Sequence, residues 1–253
     1  MIFCDLTGKK ILVTGASSGL GRATCILLSK LNATVCLVAR NQEKLEETKA
    51  QMAGQGHIVM PFDLQNFENY SDFFENIVNQ IGRLNGLVHF SGIRKTLPLR
   101  IMKIDDIKAI FEINFFSFVE LVKFFTKKNI TSTEGGSIVV ASSVLSLRGA
   151  AALTGYGSSK AAVDGAVRPM ACELANRKIR VNSIAPGHVE TEMNLAVQQT
   201  LSEEAFEQII KCHPLGIGQP IDVANLVAFL LSDEARWITG TTIPIDGGFT
   251  VRS

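Results

Sequence analysis

A tyrosine and a lysine four residues apart are the pair in this sequence whose chemistry is easiest to specify. Tyr156 and Lys160 lie in a segment with helical character, where this separation places two side chains on one face. A free phenol has a pKa of about 10, and a nearby cation lowers that value because it favours the phenolate. The pair could therefore give and take a proton, although the same spacing also occurs by chance on exposed helices.

Two serines and one asparagine could complete such a site. Ser142 and Ser143 follow an apolar run with strand character, and Tyr156 lies 13 residues beyond Ser143. Asn114 has apolar neighbours within a predicted helix over residues 105–127, where a lone amide needs hydrogen-bond partners. This asparagine is either a structural amide in the core or part of a relay between a lysine and ordered water.

The first element that must position these groups is a glycine-rich turn between a predicted strand, residues 9–13, and a helix. The turn consists of Thr14, Gly15, Ala16, Ser17, Ser18, Gly19, Leu20 and Gly21. Its three glycines let the backbone approach a pyrophosphate, which the N–H groups and dipole of the helix N-terminus then hold. The spacing Gly-x-x-x-Gly-x-Gly differs from the general dinucleotide fingerprint Gly-x-Gly-x-x-Gly. We predict a bound nucleotide here, with a glycine-rich surface turn as the alternative.

The end of the second predicted strand, residues 34–39, bears on the choice of cofactor. Arg40 follows that strand, 19 residues past Gly21. An acidic side chain near this point would bind the ribose hydroxyls of NAD, whereas an arginine suits the 2′-phosphate of NADP. Ser18 offers no second cation. The sequence therefore favours NADP(H) over NAD(H), and the alternative for Arg40 is a solvated side chain at a strand end.

The third predicted strand, residues 58–62, is followed by Asp63 and Leu64. The carboxylate of Asp63 could accept a hydrogen bond from an adenine amino group. It could equally cap the next predicted helix, residues 66–81, because aspartate is a preferred residue before a helix.

Two later strands also end in candidate binding residues. The fourth, residues 87–90, leads to Ser91 and Gly92. The sixth, residues 179–185, leads to the segment Pro186, Gly187, His188, Val189, Glu190 and Thr191. Open α/β sheets bind ligands at the carboxyl ends of their strands, so we expect these residues to share one edge.

Strand and helix patterns alternate along the chain and give about seven strands. This alternation predicts an α/β fold with a mainly parallel seven-stranded sheet and helices on both faces. A length of 253 residues is compatible with a single domain over residues 1–253. Residues from about 192 to 215 resemble a flexible substrate flap with an amphipathic helix, whose apolar stripe is Ala205, Phe206, Ile209 and Ile210.

Composition excludes several classes of protein. A hydrophobic content of 46% with 19% charged residues is typical of a globular protein, and a formal charge of +1 predicts no attraction to nucleic acid. No apolar run long enough for a membrane span and no leader sequence is present. The five cysteines and four histidines show no spacing typical of disulfide frameworks or metal ligands, so we expect no metal and a reducing, cytoplasmic location.

Taken together, the motifs resemble the classical branch of the short-chain dehydrogenase/reductase family over residues 6–249. They stand in the family's order: Thr14 to Gly21, Asp63-Leu64, Asn114, Ser143, Tyr156 with Lys160, Pro186-Gly187 and Asp246-Gly247-Gly248. Each motif alone is weak, but their joint occurrence is specific. The resemblance implies a Rossmann-like, doubly wound sheet, a nicotinamide cofactor, and a homotetramer or homodimer built on the helices that hold Asn114 and Tyr156.

The resemblance also implies residue roles. Tyr156 would be the general acid or base for a carbonyl oxygen, and Ser143 would hold and polarise that oxygen. Lys160 would lower the pKa of the phenol and bind the ribose of the nicotinamide, and Asn114 would anchor a water that resupplies protons. Ser142 is a competing candidate for the serine role.

Near the cofactor, the chain matches the family at one pair of positions and departs from it at another. Val189 and Thr191 match positions that contact the nicotinamide carboxamide. In contrast, the chain departs from the family's Asn-Asn-Ala-Gly after strand four, where it has His89, Phe90, Ser91 and Gly92. The two missing amides normally steady the sheet centre and the cofactor. We interpret the departure as a variation in a working enzyme.

Within the family, similarity favours an NADPH-dependent reductase of the 3-oxoacyl-(acyl-carrier-protein) reductase type, acting on a carbonyl or acyl-thioester substrate. Sugar, polyol or steroid dehydrogenases remain alternatives, because His188, Met193 and Phe206 in the flap encode no recognisable substrate. A third alternative, from another class, is an NADP-sensing or scaffold protein with little turnover.

An acyl carrier protein is a possible partner. In the family, basic residues near the dimer helices contact the carrier protein, and here Lys127, Lys128 and Arg177 could supply such a patch. The alternative is that all three are ordinary solvated side chains.

Overall fold

The computed structural model describes residues 4–198 and 202–252, and within them seven strands form one sheet. The strands are β1 Lys10–Thr14, β2 Thr34–Ala39, β3 Ile58–Pro61, β4 Gly86–His89, β5 Gly136–Ala141, β6 Ile179–Pro186 and β7 Thr242–Ile245. Their spatial order is β3-β2-β1-β4-β5-β6-β7, and every neighbouring pair is parallel. The predicted parallel α/β sheet is confirmed. Residues 199–201 of the predicted flap lie outside the described residues, as do 1–3 and 253.

Helices connect successive strands. They are α1 Gly19–Lys30, α2 Gln42–Lys49, α3 Tyr70–Ile81, α4 Ile104–Phe111, α5 Ser117–Phe125, α6 Thr154–Leu174, α7 Glu192–Gln198, α8 Glu203–Lys211 and α9 Pro220–Leu231. None of the helices in the described residues is long and apolar enough to cross a membrane.

The sheet is covered on both faces, as the alternation of its buried residues requires. In β1, Leu12 packs with residues of α3, α5 and α6, whereas Ile11 and Val13 pack with residues of α1, α2 and α9. Successive side chains of a strand point to opposite faces, so one strand contributes to both layers of the core. The expected doubly wound architecture is confirmed.

The order of the strands reverses between β1 and β4. Chain connections leave β1 toward β2 on one side and leave β4 toward β5 on the other. At such a switch point a crevice opens beyond the carboxyl ends of the strands. Thr14 and His89, which are paired in register, mark the base of that crevice.

The predicted helix over residues 105–127 is interrupted. Between α4 and α5 the chain makes a π-helical turn, Glu112–Phe116, with Asn114 at its centre and fully buried. The hydroxyl of Ser117 donates to the carbonyl oxygen of Ile113 at 2.6 Å. A π turn inserts one residue into a helix, and such turns are frequent at functional sites.

The flap contains two short helices, α7 and α8, where the sequence predicted one. Ser202 begins α8, because its hydroxyl accepts a hydrogen bond from the backbone N–H of Ala205 at 3.3 Å. Of the predicted apolar stripe, Ala205, Phe206 and Ile209 are half-buried, and Ile210 is exposed.

Candidate active site

The start of α6 brings the tyrosine and the lysine together beside the end of β5. The Nζ atom of Lys160 lies 5.8 Å from the centroid of the Tyr156 ring. The same atom donates to the carbonyl oxygen of Ala141, the last residue of β5, at 2.7 Å. Helix α6 is thereby fixed to the carboxyl edge of the sheet through a buried ammonium.

Ser142 and Ser143 point in different directions, although they are adjacent. The hydroxyl of Ser142 donates to a carboxylate oxygen of Asp164 at 2.9 Å, beneath α6. Ser143 lines the cavity with Tyr156, and its hydrogen bond to the phenol favours the phenolate. The geometry therefore puts Ser143, and not Ser142, beside the phenol.

Burial dominates the acidity of the phenol. It raises the pKa of Tyr156, while the hydrogen bond from Ser143 and the positive charge of Arg94 act in the opposite direction. The sequence assigned the lowering of this pKa to Lys160. In the structure Lys160 lies over the ring face and is engaged with Ala141, and the net direction is upward. The phenol is thus held in its protonated form at neutral pH.

Lys160 is itself strongly affected by its surroundings. Burial lowers the pKa of its ammonium to about 8, and the negative charge of Asp164 opposes that change. Lys160 is therefore charged at neutral pH but loses its proton under mildly alkaline conditions.

Asp164 organises a buried polar cluster beneath the site. Its carboxylate accepts hydrogen bonds from Ser142 at 2.9 Å, Ser146 at 2.5 Å and Ser183 at 2.7 Å. These hydroxyls come from the end of β5, the turn that follows it, and β6. Sequence reasoning missed this residue, although its position four residues after Lys160 on α6 was a usable signal.

Asn114 holds the loop that follows β4. Its side chain accepts from the backbone N–H of Ile93 at 2.8 Å, and it donates to the carbonyl of Ile93 at 3.0 Å and to the hydroxyl of Ser159 at 2.9 Å. Both amide hydrogens are therefore used within the protein. The water relay expected for this residue stays a prediction.

A cavity of about 1360 Å³ opens at the carboxyl edge of the sheet. Most of the predicted site residues line it: Gly15, Ser17, Ser18, Gly19, Leu20, Gly21, Arg40, Asp63, Leu64, Ser91, Gly92, Ser143, Tyr156, Lys160, Pro186, Gly187, Val189 and Thr191. Thr14 and Asn114 lie behind this surface and support it. The volume exceeds that of pockets for drug-sized ligands, about 300–1,000 Å³, and suits a dinucleotide with a small substrate.

The glycine-rich turn forms one end of the cavity. Gly15 has φ +68°, and a Cβ on Gly21 would come within 2.1 Å of the carbonyl oxygen of Gly15, so neither position accepts a side chain without distortion. Arg22 fixes the turn by donating to the carbonyl oxygen of Ser17 at 2.6 Å. This close packing of the turn on α1 fits a pyrophosphate-binding role.

A carboxylate from the flap lies at the N-terminus of α1. Glu192, the first residue of α7, accepts from the backbone N–H of Gly19 at 2.9 Å, and its other oxygen lies 3.6 Å from Arg22. A helix N-terminus favours anions, so this contact uses a group suited to phosphate. Sequence reasoning did not anticipate it.

Two positive side chains line the cavity beyond β2, the strand next to the one that leads into the glycine-rich turn. Arg40 is exposed at the end of β2, and Lys44 on α2 lines the same wall. The sequence predicted no second cation at Ser18, and it did not point to Lys44, which lies four residues beyond Arg40. Asp63 accepts from the backbone N–H of Gln65 at 3.0 Å. It therefore stabilises the turn after β3 rather than the start of α3.

His89, the last residue of β4, contacts the end of β1. One ring nitrogen lies 2.9 Å from the hydroxyl of Thr14, and that hydroxyl also accepts from the backbone N–H of Ser91 at 3.3 Å. The ring stacks on Phe118 at 5.9 Å between centroids. Burial, with the positive charge of Lys160, lowers the pKa of His89 to about 3, so the ring is neutral. The ends of β1 and β4 are thus joined through the hydroxyl of Thr14 and the ring of His89, with no asparagine side chain between them.

The loop after β6 is tied to α8 by a second histidine. The Nε2 atom of His213 accepts from the backbone N–H of His188 at 3.0 Å, and its Nδ1 bonds the carbonyl oxygen of Ile209 at 2.7 Å. The rings of His188 and Phe206 are 5.9 Å apart. His188 and Met193 line the cavity, so the flap forms its outer wall.

The predicted carrier-protein patch lies elsewhere. Arg177 donates to the carbonyl oxygen of Thr126, which brings it close to Lys127 and Lys128. Lys127 and Lys128 lie between α5 and β5, and Arg177 lies between α6 and β6, so all three stand at the amino ends of the strands. A carrier protein bound there would face away from the cavity mouth of the same subunit. No group of histidine, cysteine or acidic residues in the described part of the chain could hold a metal ion.

The chain is similar to known proteins over nearly its whole length. The family model described as enoyl-(acyl carrier protein) reductase matches residues 15–250. A 3-oxoacyl-(acyl-carrier-protein) reductase FabG from Thermotoga maritima is 36% identical over 252 residues, which cover 97% of this chain and 99% of that protein. Carbonyl reductase family member 4 from Danio rerio is 34% identical over 238 residues, with 94% and 96% covered.

A solved structure extends the comparison. The complex of a 7α-hydroxysteroid dehydrogenase with NADH and 7-oxo glycochenodeoxycholic acid superimposes with a TM-score of 0.90. That protein is 29% identical, and the match covers 97% of this chain and 96% of that chain.

Proposed function

The chain belongs to the classical short-chain dehydrogenase/reductase family of oxidoreductases, and from that premise we propose that it reduces a 3-oxoacyl compound with NADPH. The observation that carries the proposal is the meeting of Ser143, Tyr156 and Lys160 in one cavity that ends in the glycine-rich turn. A nicotinamide, when bound, supplies the hydride, and the protein supplies position and protons.

The roles of the side chains follow from their chemistry. Tyr156 gives its phenolic proton to the carbonyl oxygen, because burial keeps that proton on the phenol at neutral pH. Ser143 donates a hydrogen bond to the same oxygen and stabilises the charge that develops on it. The positive charge of Lys160 lies over the ring of Tyr156 and stabilises the phenolate that remains after proton transfer. Asn114 holds the loop after β4 against this group.

The proposed preference for NADPH rests on two cations. Arg40 and Lys44 face the end of the cavity remote from Tyr156, and within the described residues neither forms an ion pair. A 2′-phosphate would neutralise both. We expect Arg40→Gln to weaken NADPH binding about tenfold and to leave NADH binding nearly unchanged, as measured by fluorescence titration. Equal binding of the two cofactors by the unmodified protein would contradict this assignment.

The 3-oxoacyl substrate is proposed from the relatives. The Thermotoga maritima protein is named for that reaction, and it is similar over nearly the whole chain. A steroid ketone is a second candidate, because the similar solved structure holds a 7-oxo steroid. Sugars and polyols have no comparable support.

The direct test is NADPH consumption with a panel that contains an acetoacetyl thioester, a crotonyl thioester and a 7-oxo steroid. We expect the acetoacetyl thioester to be reduced fastest, and Tyr156→Phe to lower its kcat about 10²- to 10⁴-fold. Tyr70→Phe is the matched control, since its hydroxyl bonds only a backbone carbonyl, that of Leu64, among the described residues. NADPH binding without turnover on every compound would favour a sensor or scaffold instead.

Location and assembly complete the proposal. The five cysteines are free, which suits a reducing cytoplasm. We also propose a homodimer or homotetramer, because Phe116 beside α5 exposes 48% of its surface and would be covered by a second copy. An acyl carrier protein could deliver the substrate at the cavity mouth, away from Lys127, Lys128 and Arg177. Sedimentation analysis of Phe116→Ser would test the assembly.

A further inference from the structure

One arginine in the candidate site has no partner. Arg94 is only half-buried, yet within residues 4–198 and 202–252 its guanidinium makes no hydrogen bond or ion pair, and its Nε atom is fully buried. The other half-buried arginines, Arg22, Arg177 and Arg180, each donate to a main-chain oxygen. A partly desolvated charge without a partner is costly, so its retention calls for a function.

Arg94 lies in the cavity that contains the phenol. It lines the same cavity as Tyr156, and its positive charge acts against the rise that burial causes in the pKa of the phenol, while burial lowers the pKa of Arg94 itself. The guanidinium and the phenol therefore face the same space and interact electrostatically.

The loop that carries Arg94 is fixed at both ends. Both main-chain polar groups of Ile93 bond the side chain of Asn114 at 2.8 and 3.0 Å. The backbone N–H of Leu97 donates to the carbonyl oxygen of Ala152 at 2.8 Å. The backbone that carries Arg94 is therefore held in place on both sides of the residue.

We infer that Arg94 binds an oxygen of the substrate's acyl group while Tyr156 faces the reacting carbonyl, and that it selects oxoacyl compounds over plain ketones. This inference rests on the proposed function. A guanidinium presents several donors in one plane, which match a carboxylate or a carbonyl oxygen. A plain ketone has only the oxygen that Tyr156 and Ser143 bind, so it would leave the arginine unpaired. The carboxylate of a free oxo acid and the carbonyl of an oxoacyl thioester offer the same acceptor.

The test compares acetoacetate, acetoacetyl-coenzyme A and butan-2-one in the full-length protein with its preferred nicotinamide. In Arg94→Gln we expect the ratio of kcat/KM for an acyl substrate to that for butan-2-one to fall about 10- to 100-fold, the effect of one lost hydrogen bond to a charged group. A fall with acetoacetate alone identifies a carboxylate as the ligand, and a fall with the thioester identifies the thioester carbonyl. An equal loss on all three substrates would overturn the inference, because Arg94 would then act only through Tyr156.

Lys95→Gln is the matched control. It removes the same charge one residue along the chain, where Lys95 pairs with Asp106 at 3.0 Å and does not line the cavity. The substrate ratio should stay unchanged in this variant.

A binding measurement separates this inference from the proposed reaction. Calorimetry of acetoacetate with Tyr156→Phe in the presence of NADP⁺ needs no turnover. In the double variant Tyr156→Phe, Arg94→Gln, acetoacetate should bind at least tenfold more weakly than in Tyr156→Phe alone. Unchanged binding of acetoacetate would refute the role of Arg94. If acetoacetate binding depends on Arg94 but the wild-type protein reduces no ketone, the proposed function fails while the inference stands.

Discussion

Asp164 on α6 accepts hydrogen bonds from three hydroxyls, whereas Arg94 and Arg40 line the cavity with no hydrogen bond or ion pair to any residue that the structure describes. We call the first region the buried support and define it as Ser142, Ser146, Asp164 and Ser183. We call the second region the cavity wall and define it as Arg40, Arg94 and Glu192.

The contrast separates two tasks. Polar groups in the buried support are satisfied by one another, so they hold Lys160 and the end of β5 in one geometry. Neither arginine of the cavity wall bonds another group in the described part of the chain, so a ligand with acceptor oxygens would give them partners. Changes in the support should alter stability and all reactions together, and changes in the wall should alter selectivity.

The adjacent serines provide the largest test of this separation. Ser143→Ala removes a donor to the reacting oxygen, and we expect kcat to fall about 10²- to 10³-fold with little change in the free energy of unfolding. Ser142→Ala removes a donor to Asp164, and we expect a loss of about 1–3 kcal/mol of stability with a smaller effect on kcat. Steady-state kinetics and urea unfolding of the two variants would check this. If Ser142→Ala lowered kcat more and Ser143→Ala lowered stability more, Ser142 would be the donor to the reacting oxygen and Ser143 the structural residue.

Loss of Asp164 should lower the free energy of unfolding of the protein, whether or not a substrate is present. Asp164→Ala removes a carboxylate that accepts from three hydroxyls, of which Ser142 and Ser183 are buried, and it removes the counter-charge of Lys160, so we expect a cost of about 3–5 kcal/mol in urea unfolding. Asp233→Ala is the control, because its carboxylate pairs with Lys9 at the surface. That change should cost at most about 1 kcal/mol. Similar losses in both variants would show that the support does not stabilise the fold.

The pKa of Lys160 predicts opposite effects of alkali on rate and stability. Since burial lowers this pKa to about 8, kcat/KM for ketone reduction should fall about tenfold per pH unit above that value, as the positive charge is lost. Between pH 8 and the unfolded value of 10.5 the unfolded chain retains a proton that the folded protein has released, so the free energy of unfolding should rise with pH. A flat pH–rate profile to pH 10 would exclude a requirement for the charged lysine.

The smallest expected effect concerns the carboxylate at the start of α1. Glu192→Gln removes a negative charge from the site suited to pyrophosphate, and we expect NADPH to bind about two- to fivefold more tightly. Glu190→Gln, a neighbouring substitution on the same loop, should have no such effect. Weaker binding in Glu192→Gln would mean that the carboxylate positions Arg22 or α7 for the cofactor instead of competing with it.

The sequence was sufficient for the parallel sheet and for many of the residues that line the cavity, because strand ends, glycine spacing and the Tyr156–Lys160 separation are local patterns, but it did not predict the roles of Lys44, Glu192 or Arg94. The identity of Asp164's partners is not local, since its hydroxyls come from β5, β6 and a connecting turn. The free state of Arg94 is also not local, because it depends on which side chains fail to reach it. The family's spacing favoured Ser143 over Ser142, and the folded chain adds that Ser142 is instead bonded to Asp164.

The π-helical turn at Glu112–Phe116 makes the length of this segment matter more than its composition. Each residue of an α-helix turns the chain by about 100°, so deletion of one residue here would give a continuous helix in which Asn114 and α5 no longer keep their relative orientation. Either Asn114 would lose its hydrogen bonds to Ile93, or Phe118 and Phe125 would no longer be buried in the core. Substitutions at the exposed positions of this turn are tolerable by comparison, whereas an insertion or deletion changes the phase of the whole helix. The extra residue in the π-helical turn thus allows α5 to pack in the core while Asn114 bonds Ile93, the residue before Arg94.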